Sequence, residues 1–280
     1  MNYVFFGTPE FAAIILEKLI QAGLIPAAVV ANPDRPVGRK KIITPPPVKQ
    51  LIANGKWPIE VLQPEHPETI SYRLSAIRPE VFIVAAYAQI LPKEILAIPR
   101  LGTIGIHPSL LPKYRGPTPI QTVILKGGTE TGVTLYLMDE KIDHGATLAV
   151  SRLPLITREN YESLLKKLAD LGAELLIATL PKFIKREIKP QAQDASQATY
   201  TKKFDAHDAF VDAADLKKAE TEGGAIALEI DSKIRALNPE PGTWTLENGT
   251  RFKLLEAELK AGKLKLKTIQ AQGKKPVLAS

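Results

Sequence analysis

The chain has 280 residues, no cysteine, 37 Lys and Arg against 30 Asp and Glu, and a formal net charge of +7. That length allows two domains, and the missing cysteines exclude disulfides and thiolate metal sites and fit a cytoplasmic protein. No apolar run approaches ~18 residues, so no membrane span is expected. The start MNYVFFGTPE lacks a basic n-region and a small-residue cleavage site, so no signal peptide is expected either.

Asn2–Phe6 reads as an apolar strand, and Gly7-Thr8-Pro9-Glu10 turns it into a helix. Thr8 is placed to cap that helix, Pro9 suits its first position and Glu10 its first turn. The helix runs to about Ala22, where Gly23 stops it, and Ala27–Ala31 is the next strand. Strand, helix and strand in this order are the unit of a parallel doubly wound sheet. The first turn holds one glycine rather than G-x-G-x-x-G, so no dinucleotide site is expected.

Asn32–Pro47 holds five prolines and several cations, and reads as an irregular, exposed loop of functional interest. Helix resumes over Val48–Ala53, with a short strand at Ile59–Leu62, a helix over Pro67–Ile77 and a strand at Val81–Ala85. Tyr87–Pro92 then lies just past a strand end, where open α/β sheets bind ligands. Ile104 and Ile106 alternate with Gly105 and His107, which puts His107 at a strand end on the face opposite the isoleucines. Ser109-Leu110-Leu111-Pro112 is a stiff apolar loop beside it, followed by Lys113, Tyr114 and Arg115. A histidine, an apolar wall and cations together suit a small-molecule site.

Pro117–Lys126 reads as a helix, Gly132–Met138 as a strand, and Asp139–Gly145 as a polar turn. That turn supplies Asp143 and His144, either of which reaches His107 if the two strands are neighbours. A strand follows near Thr147–Leu153, and Tyr161–Ile184 has helical apolar spacing. Asp208–Ala214 and Ala225–Arg235 look helical in part. Thr243–Leu246, Thr250–Glu258 and Lys263–Gln270 are short strands separated by the hairpin signals Asn248-Gly249 and Ala261-Gly262.

The motif HPSLLPKYRG (His107–Gly116) with a later D-x-G (Asp143–Gly145) resembles the formyltransferases that use formyltetrahydrofolate. FFGTPEF, PDRPVGRKK, AAYAQILP, YTKKF, RALNPEPG and QGKKP extend the likeness almost end to end, and within that group it is strongest to the methionyl-tRNA formyltransferase family. The resemblance implies an α/β fold: a Rossmann-like doubly wound parallel sheet of formyltransferase type, followed by a small C-terminal OB-like β-barrel. The expected division is a catalytic domain at 1–185, a linker at 186–204 and a C-terminal tRNA-binding domain at 205–280.

The resemblance further implies 10-formyltetrahydrofolate as formyl donor and methionyl initiator tRNA as acceptor, in a cytoplasmic monomer without a metal. Four scattered histidines with no H-x-x-x-H pair agree with that last expectation. His107 and Asp143 are the implied catalytic pair. Ser109, Leu110, Leu111 and Pro112, with Tyr87, Gln89 and Ile90, are the implied folate pocket, in which backbone groups meet the pterin. Arg35, Arg39, Lys40 and Lys41 are the implied tRNA contacts.

Two positions depart from the family pattern. Ala88 stands where the family usually has glycine, and Gly105 stands where it has an asparagine two residues before the histidine. Losing such a donor for the developing oxyanion commonly costs roughly 10²–10³ in turnover. A water, a backbone N–H or a side chain from elsewhere is then needed in its place. The alternatives are an amino-sugar N-formyltransferase, and a folate- or tRNA-binding homologue that lost catalysis with the asparagine. The first does not need the basic Pro33–Lys49 loop or the RALNPEPG segment.

Overall fold

The computed structural model describes residues 1–38, 40–156 and 158–279. Arg39, one of the expected tRNA contacts, lies outside the described residues. Two compact units divide the chain. The first takes Met1–Gly116, Thr131–Leu153 and Leu165–Tyr200, and the second Pro117–Glu130, Pro154–Leu164 and Thr201–Ser280.

In chain order the elements are β1 (Tyr3–Gly7), α1 (Glu10–Gln21), β2 (Ala28–Val30), β3 (Arg35–Val37), β4 (Ile42–Thr44), α2 (Pro47–Gly55), β5 (Glu60–Leu62), α3 (Ser71–Ile77), β6 (Val81–Ala85), α4 (Lys93–Leu96) and β7 (Thr103–His107). After them come α5 (Pro119–Leu125), β8 (Glu130–Leu137), β9 (Thr147–Pro154), α6 (Tyr161–Ile184), α7 (Ala213–Thr221), α8 (Ala225–Leu237), β10 (Trp244–Glu247), β11 (Thr250–Lys260), β12 (Lys263–Ala271) and β13 (Val277–Leu278).

The first unit is built on a seven-stranded sheet in the order β5-β2-β1-β6-β7-β8-β9. β5, β2, β1, β6 and β7 run parallel, and β8 runs antiparallel to β7. Strands covered on both faces need apolar residues at every position. That is why β1 reads YVFFG and β6 reads VFIVA, with all ten residues buried. Phe6 and Phe82 meet at 4.9 Å between ring centroids, and Tyr87 packs edge-on to Phe6 at 5.4 Å. Each of the two phenylalanines contributes roughly 1.5–3 kcal/mol by leaving water. On the other face α6 passes close to β7: a Cβ on Gly172 would lie 3.1 Å from Ile106 Cγ2. The expected alternation therefore stands, with Ile106 under a helix and His107 on the opposite side.

Three local expectations need correction. Thr8 does not cap α1. The N-cap is Pro9, without a side-chain bond, because the Thr8 hydroxyl instead accepts the Asn32 backbone N–H at 3.1 Å. The proline-rich segment is not irregular throughout: β3 and β4 form an antiparallel hairpin, with Pro36 opposite Ile43. Proline is tolerated on edge strands, where its missing N–H is not needed. Helix α7 begins at Ala213 rather than near 208. Asp212 caps it by accepting the Ala214 N–H at 2.8 Å.

In the second unit α5 packs with α8, and β10-β11-β12-β13 form a four-stranded antiparallel sheet. Its core joins Val211, Leu216, Ile230 and Ile234 to Leu254 and Leu264. The RALNPEPG segment holds this unit together. Arg235 donates to the buried Asp231 carboxylate at 2.7 Å and to the Glu159 carbonyl at 2.7 Å. The Asn238 amide donates to the carbonyls of Ile234 and Leu254, and its oxygen accepts from Thr243.

Candidate active site

Strand order reverses between β1 and β6, because β2 and β5 lie to one side of β1 and β6 and β7 to the other. The crevice outside such a switch point is the usual ligand site of an open sheet. Asn32 stitches it together. Its side-chain amide donates to the Tyr87 carbonyl at 3.1 Å, and its Oδ1 accepts from Gln89 at 2.6 Å. Sequence reasoning passed over Asn32, which carries no motif of its own.

The Tyr87 ring points into the core, and the residue's carbonyl is taken up by the Asn32 amide. The buried Tyr87 hydroxyl has no hydrogen-bond partner among the described residues, and burial, with the Glu68 charge beyond it, raises the phenol to about 12. Ile90 is exposed, and Ala86 and Ala88 both have positive φ, at 46° and 64°. The left-handed backbone at 88 is where a glycine is least strained, which accounts for the glycine expected there; Ala88 holds the same conformation with a Cβ.

His107 ends β7 and is nearly buried. Of the two residues that the polar turn offers, Asp143 is the one that faces it. Asp143 Oδ2 lies 3.5 Å from His107 Nδ1, whereas His144 pairs with Asp139 at 2.7 Å. Asp143 is held from two further sides. Oδ2 accepts the Gly116 N–H at 2.7 Å, and Oδ1 accepts the Tyr136 hydroxyl at 2.6 Å. The other ring nitrogen of His107, Nε2, sits 2.8 Å from the Tyr114 carbonyl and donates to it. In its two-proton form the imidazole presents an N–H to each of these oxygens.

The loop after His107 is braced internally. The buried Ser109 hydroxyl donates to the Lys113 carbonyl at 2.6 Å. Thr134, opposite His107 on β8, donates to the Ser109 carbonyl at 2.7 Å and accepts the Leu111 N–H at 3.1 Å. Leu110, Leu111 and Pro112 follow as an apolar wall, Leu111 buried and the other two half-buried. Arg115 is not a cation offered to a ligand, as its position beside Lys113 suggested. It is buried, and it clamps Gln193 Oε1 through two N–H groups at 3.1 and 2.7 Å. Gln193 in turn donates to the carbonyls of Asp143 and Gly145 at 3.0 and 2.8 Å, which fixes the turn that carries the aspartate.

The N-terminal 180 residues match the family model described as formyl transferase, and residues 225–278 match that of the formyl transferase C-terminal domain. A methionyl-tRNA formyltransferase from Chloroflexus aurantiacus is 42% identical over 92% of this chain and 80% of its own length. The chain belongs to the methionyl-tRNA formyltransferase family. A second relative of that name, from Enterococcus faecalis, is also 42% identical, over 90% of this chain and 77% of its own. Solved structures agree on the fold. A methionyl-tRNA formyltransferase from Clostridium thermocellum superposes with a TM-score of 0.60 at 15% identity, covering all of both chains. An N-formyltransferase from Helicobacter canadensis, solved with folinic acid and dTDP-3-aminofucose, gives 0.62 at 21% identity over 92% of this chain and 87% of its own.

The hairpin of β3 and β4 exposes Lys40 and Lys41 beside Val37, Ile42 and Ile43. Arg35 is exposed too, but its guanidinium pairs with Glu65. Lys49 binds both oxygens of Asp34 and the Gln63 amide oxygen. The Gln63 hydrogen bond, then Lys49, holds the Asp34 carboxyl below its usual range. In the second unit Lys263, Lys265 and Lys267 alternate along β12 with Leu264 and Leu266, so they share a face of the sheet. Among the described residues no helix is long and apolar enough to cross a membrane.

Proposed function

We propose that this chain transfers a formyl group from 10-formyltetrahydrofolate to the amino group of methionyl initiator tRNA. The observation that carries the reading is the His107–Asp143 pair, held at the C-terminal end of β7 in a chain 42% identical to enzymes of that name. The folate supplies the activated formyl group. The acceptor is an α-amine, substantially unprotonated near neutral pH. As it adds to the formyl carbon it must lose a proton, and the departing folate nitrogen must gain one. His107 moves that proton through Nε2, which exchanges its bond to the Tyr114 carbonyl for one to the reacting amine, while Asp143 holds the ring from the Nδ1 side.

The apolar wall Leu110–Pro112, with the loop closed by the Ser109 hydroxyl, and backbone groups of the Tyr87–Ile90 loop take the folate. Gln89 sets the level of that loop through Asn32. Arg35, Arg39, Lys40 and Lys41 meet phosphates of the tRNA. In this reading residues 1–185 form the catalytic domain, 186–204 the linker and 205–280 a tRNA-binding domain, in a cytoplasmic monomer.

The direct test supplies purified protein with 10-formyltetrahydrofolate and methionyl-tRNA and measures formylmethionyl-tRNA. Formylation of a nucleotide-linked amino sugar, with none of methionyl-tRNA, would overturn the reading. The basic hairpin gives a second expected outcome. Phosphate contacts release counterions, so affinity falls with salt in proportion to their number. Replacing Arg39, Lys40 and Lys41 together by alanine should weaken tRNA binding at low salt. The slope of log affinity against log salt should become shallower by roughly one to three, with folate affinity unchanged. An unaltered slope in a filter-binding titration would show the hairpin to be an ordinary solvated surface.

A further inference from the structure

Gly105 lies opposite Tyr136 in the antiparallel β7–β8 pair, and the tyrosine ring covers it. A Cβ built on Gly105 would sit 2.4 Å from Tyr136 Cε1, 2.6 Å from Cζ and 2.9 Å from the hydroxyl oxygen. The glycine therefore leaves no gap for water. The space in which a side chain at 105 would start is filled by a residue from the next strand. Tyr136 is buried, yet its hydroxyl is bonded to Asp143 Oδ1 at 2.6 Å. The same carboxylate presents Oδ2 to Gly116 and to His107. A carboxylate anchored at one oxygen can rotate only by breaking that bond. The phenol stays a donor throughout, because burial and then the neighbouring Asp143 charge hold its ionisation well above the ordinary range.

We propose that Tyr136 is a positioning residue of this site, paired with Gly105: the small residue admits the ring, and the ring's hydroxyl fixes Asp143 so that its second oxygen faces His107. The proposal rests on the formyl-transfer reading for its kinetic consequence, though not for the contact itself. It explains how a site without a side chain at 105 keeps its histidine and aspartate in register. The substitution at 105 is then half of an exchange across two strands rather than a loss.

The test joins kinetics with a measurement that needs no substrate. Tyr136→Phe keeps the ring and removes the donor. Its kcat should fall about tenfold, part of what a positioned proton-transfer group contributes, while KM for both substrates stays within about twofold. In ¹⁵N-histidine-labelled protein the His107 ring nitrogens should change chemical shift in this variant, with His66 and His207 unmoved. Gly105→Asn should lower both the melting temperature and kcat in the wild-type background. Combined with Tyr136→Ala, which removes the obstructing ring, the same substitution should restore part of both.

An unchanged kcat or an unmoved His107 signal in folded Tyr136→Phe overturns the proposal. If that variant does not fold, the cycle decides: Gly105→Asn tolerated equally with and without the Tyr136 ring overturns it. Wild-type protein that formylates no methionyl-tRNA would sink the functional reading alone, since the His107 spectra and the melting cycle would still decide the contact.

Discussion

His107→Ala should abolish most turnover, by roughly 10²–10⁴-fold, and leave tRNA binding within about twofold. The imidazole is nearly buried at a strand end, with an oxygen at each ring nitrogen, and the tRNA contacts proposed above lie elsewhere in the chain. Asp143 is a sharper test with Asn than with Ala. Its two oxygens accept from the Tyr136 hydroxyl and the Gly116 N–H while the second also faces His107. An amide has one acceptor oxygen, so Asp143→Asn strands one of these donors, at about 1–3 kcal/mol. It also removes the charge beside the ring. Asp143→Ala should lose as much turnover as His107→Ala and more stability than Asp143→Asn. Single-turnover rates near wild type in both His107→Ala and Asp143→Ala would remove the pair from the chemistry, whatever the steady-state values.

The parts of the fold that could be read from the sequence were those in which one physical pattern dominates. β6 and α6 have the bounds expected of them, Val81–Ala85 and Tyr161–Ile184, because a continuous apolar run and a long 3.6-residue apolar spacing have few other solutions. The hairpin of β3 and β4 had no such signal. Its strands are three residues each and largely exposed, so no inward face alternates with an outward one. Helix α7 was misplaced for a related reason. Only Leu216 and Ala219 of its nine residues are buried, too few to set a period, and the signal that fixes its start is the single Asp212 cap.

The site divides in the same way. His107 and Asp143 were legible because a strand end and a polar turn are local features. Tyr136 was not, because its role depends on register: it matters only as the residue opposite Gly105, and pairing between β7 and β8 is not written in either strand alone. The same holds for Gln193, about fifty residues beyond Asp143 in a segment of weak periodicity, which nevertheless bonds both ends of the Asp143 turn. Arg115 shows the reverse error. A cation in a loop suggested a ligand contact, whereas its guanidinium is buried and spent on Gln193.

The glycine of the D-x-G motif gives the other large expected effect. Gly145 has no positive φ, so the demand for glycine there is one of space rather than of backbone conformation. A Cβ at 145 would lie 1.7 Å from the Leu137 carbonyl oxygen and 2.9 Å from its carbon, both backbone atoms of β8 that no rotamer change can clear. The turn is closed at this point by the Leu137 N–H donating to the Ala146 carbonyl at 2.8 Å, and by Gln193 on the Gly145 carbonyl. Gly145→Ala must therefore push the turn away from β8, and the turn carries Asp143. Overpacking of this kind costs about 1–3 kcal/mol, which for a chain of this size lowers the melting temperature by roughly 2–12 °C. Turnover should fall further than stability accounts for, by about tenfold or more at a temperature where the variant is fully folded. Gly127→Ala is the matched control. Its φ is +60° and nothing among the described residues beyond its chain neighbours lies within 4 Å of the added carbon, so it bears only the backbone cost, roughly 1–2 kcal/mol. The measurement is kcat and melting temperature for both variants side by side. A Gly145→Ala enzyme with wild-type kcat would mean that the turn can shift without carrying the aspartate away from His107.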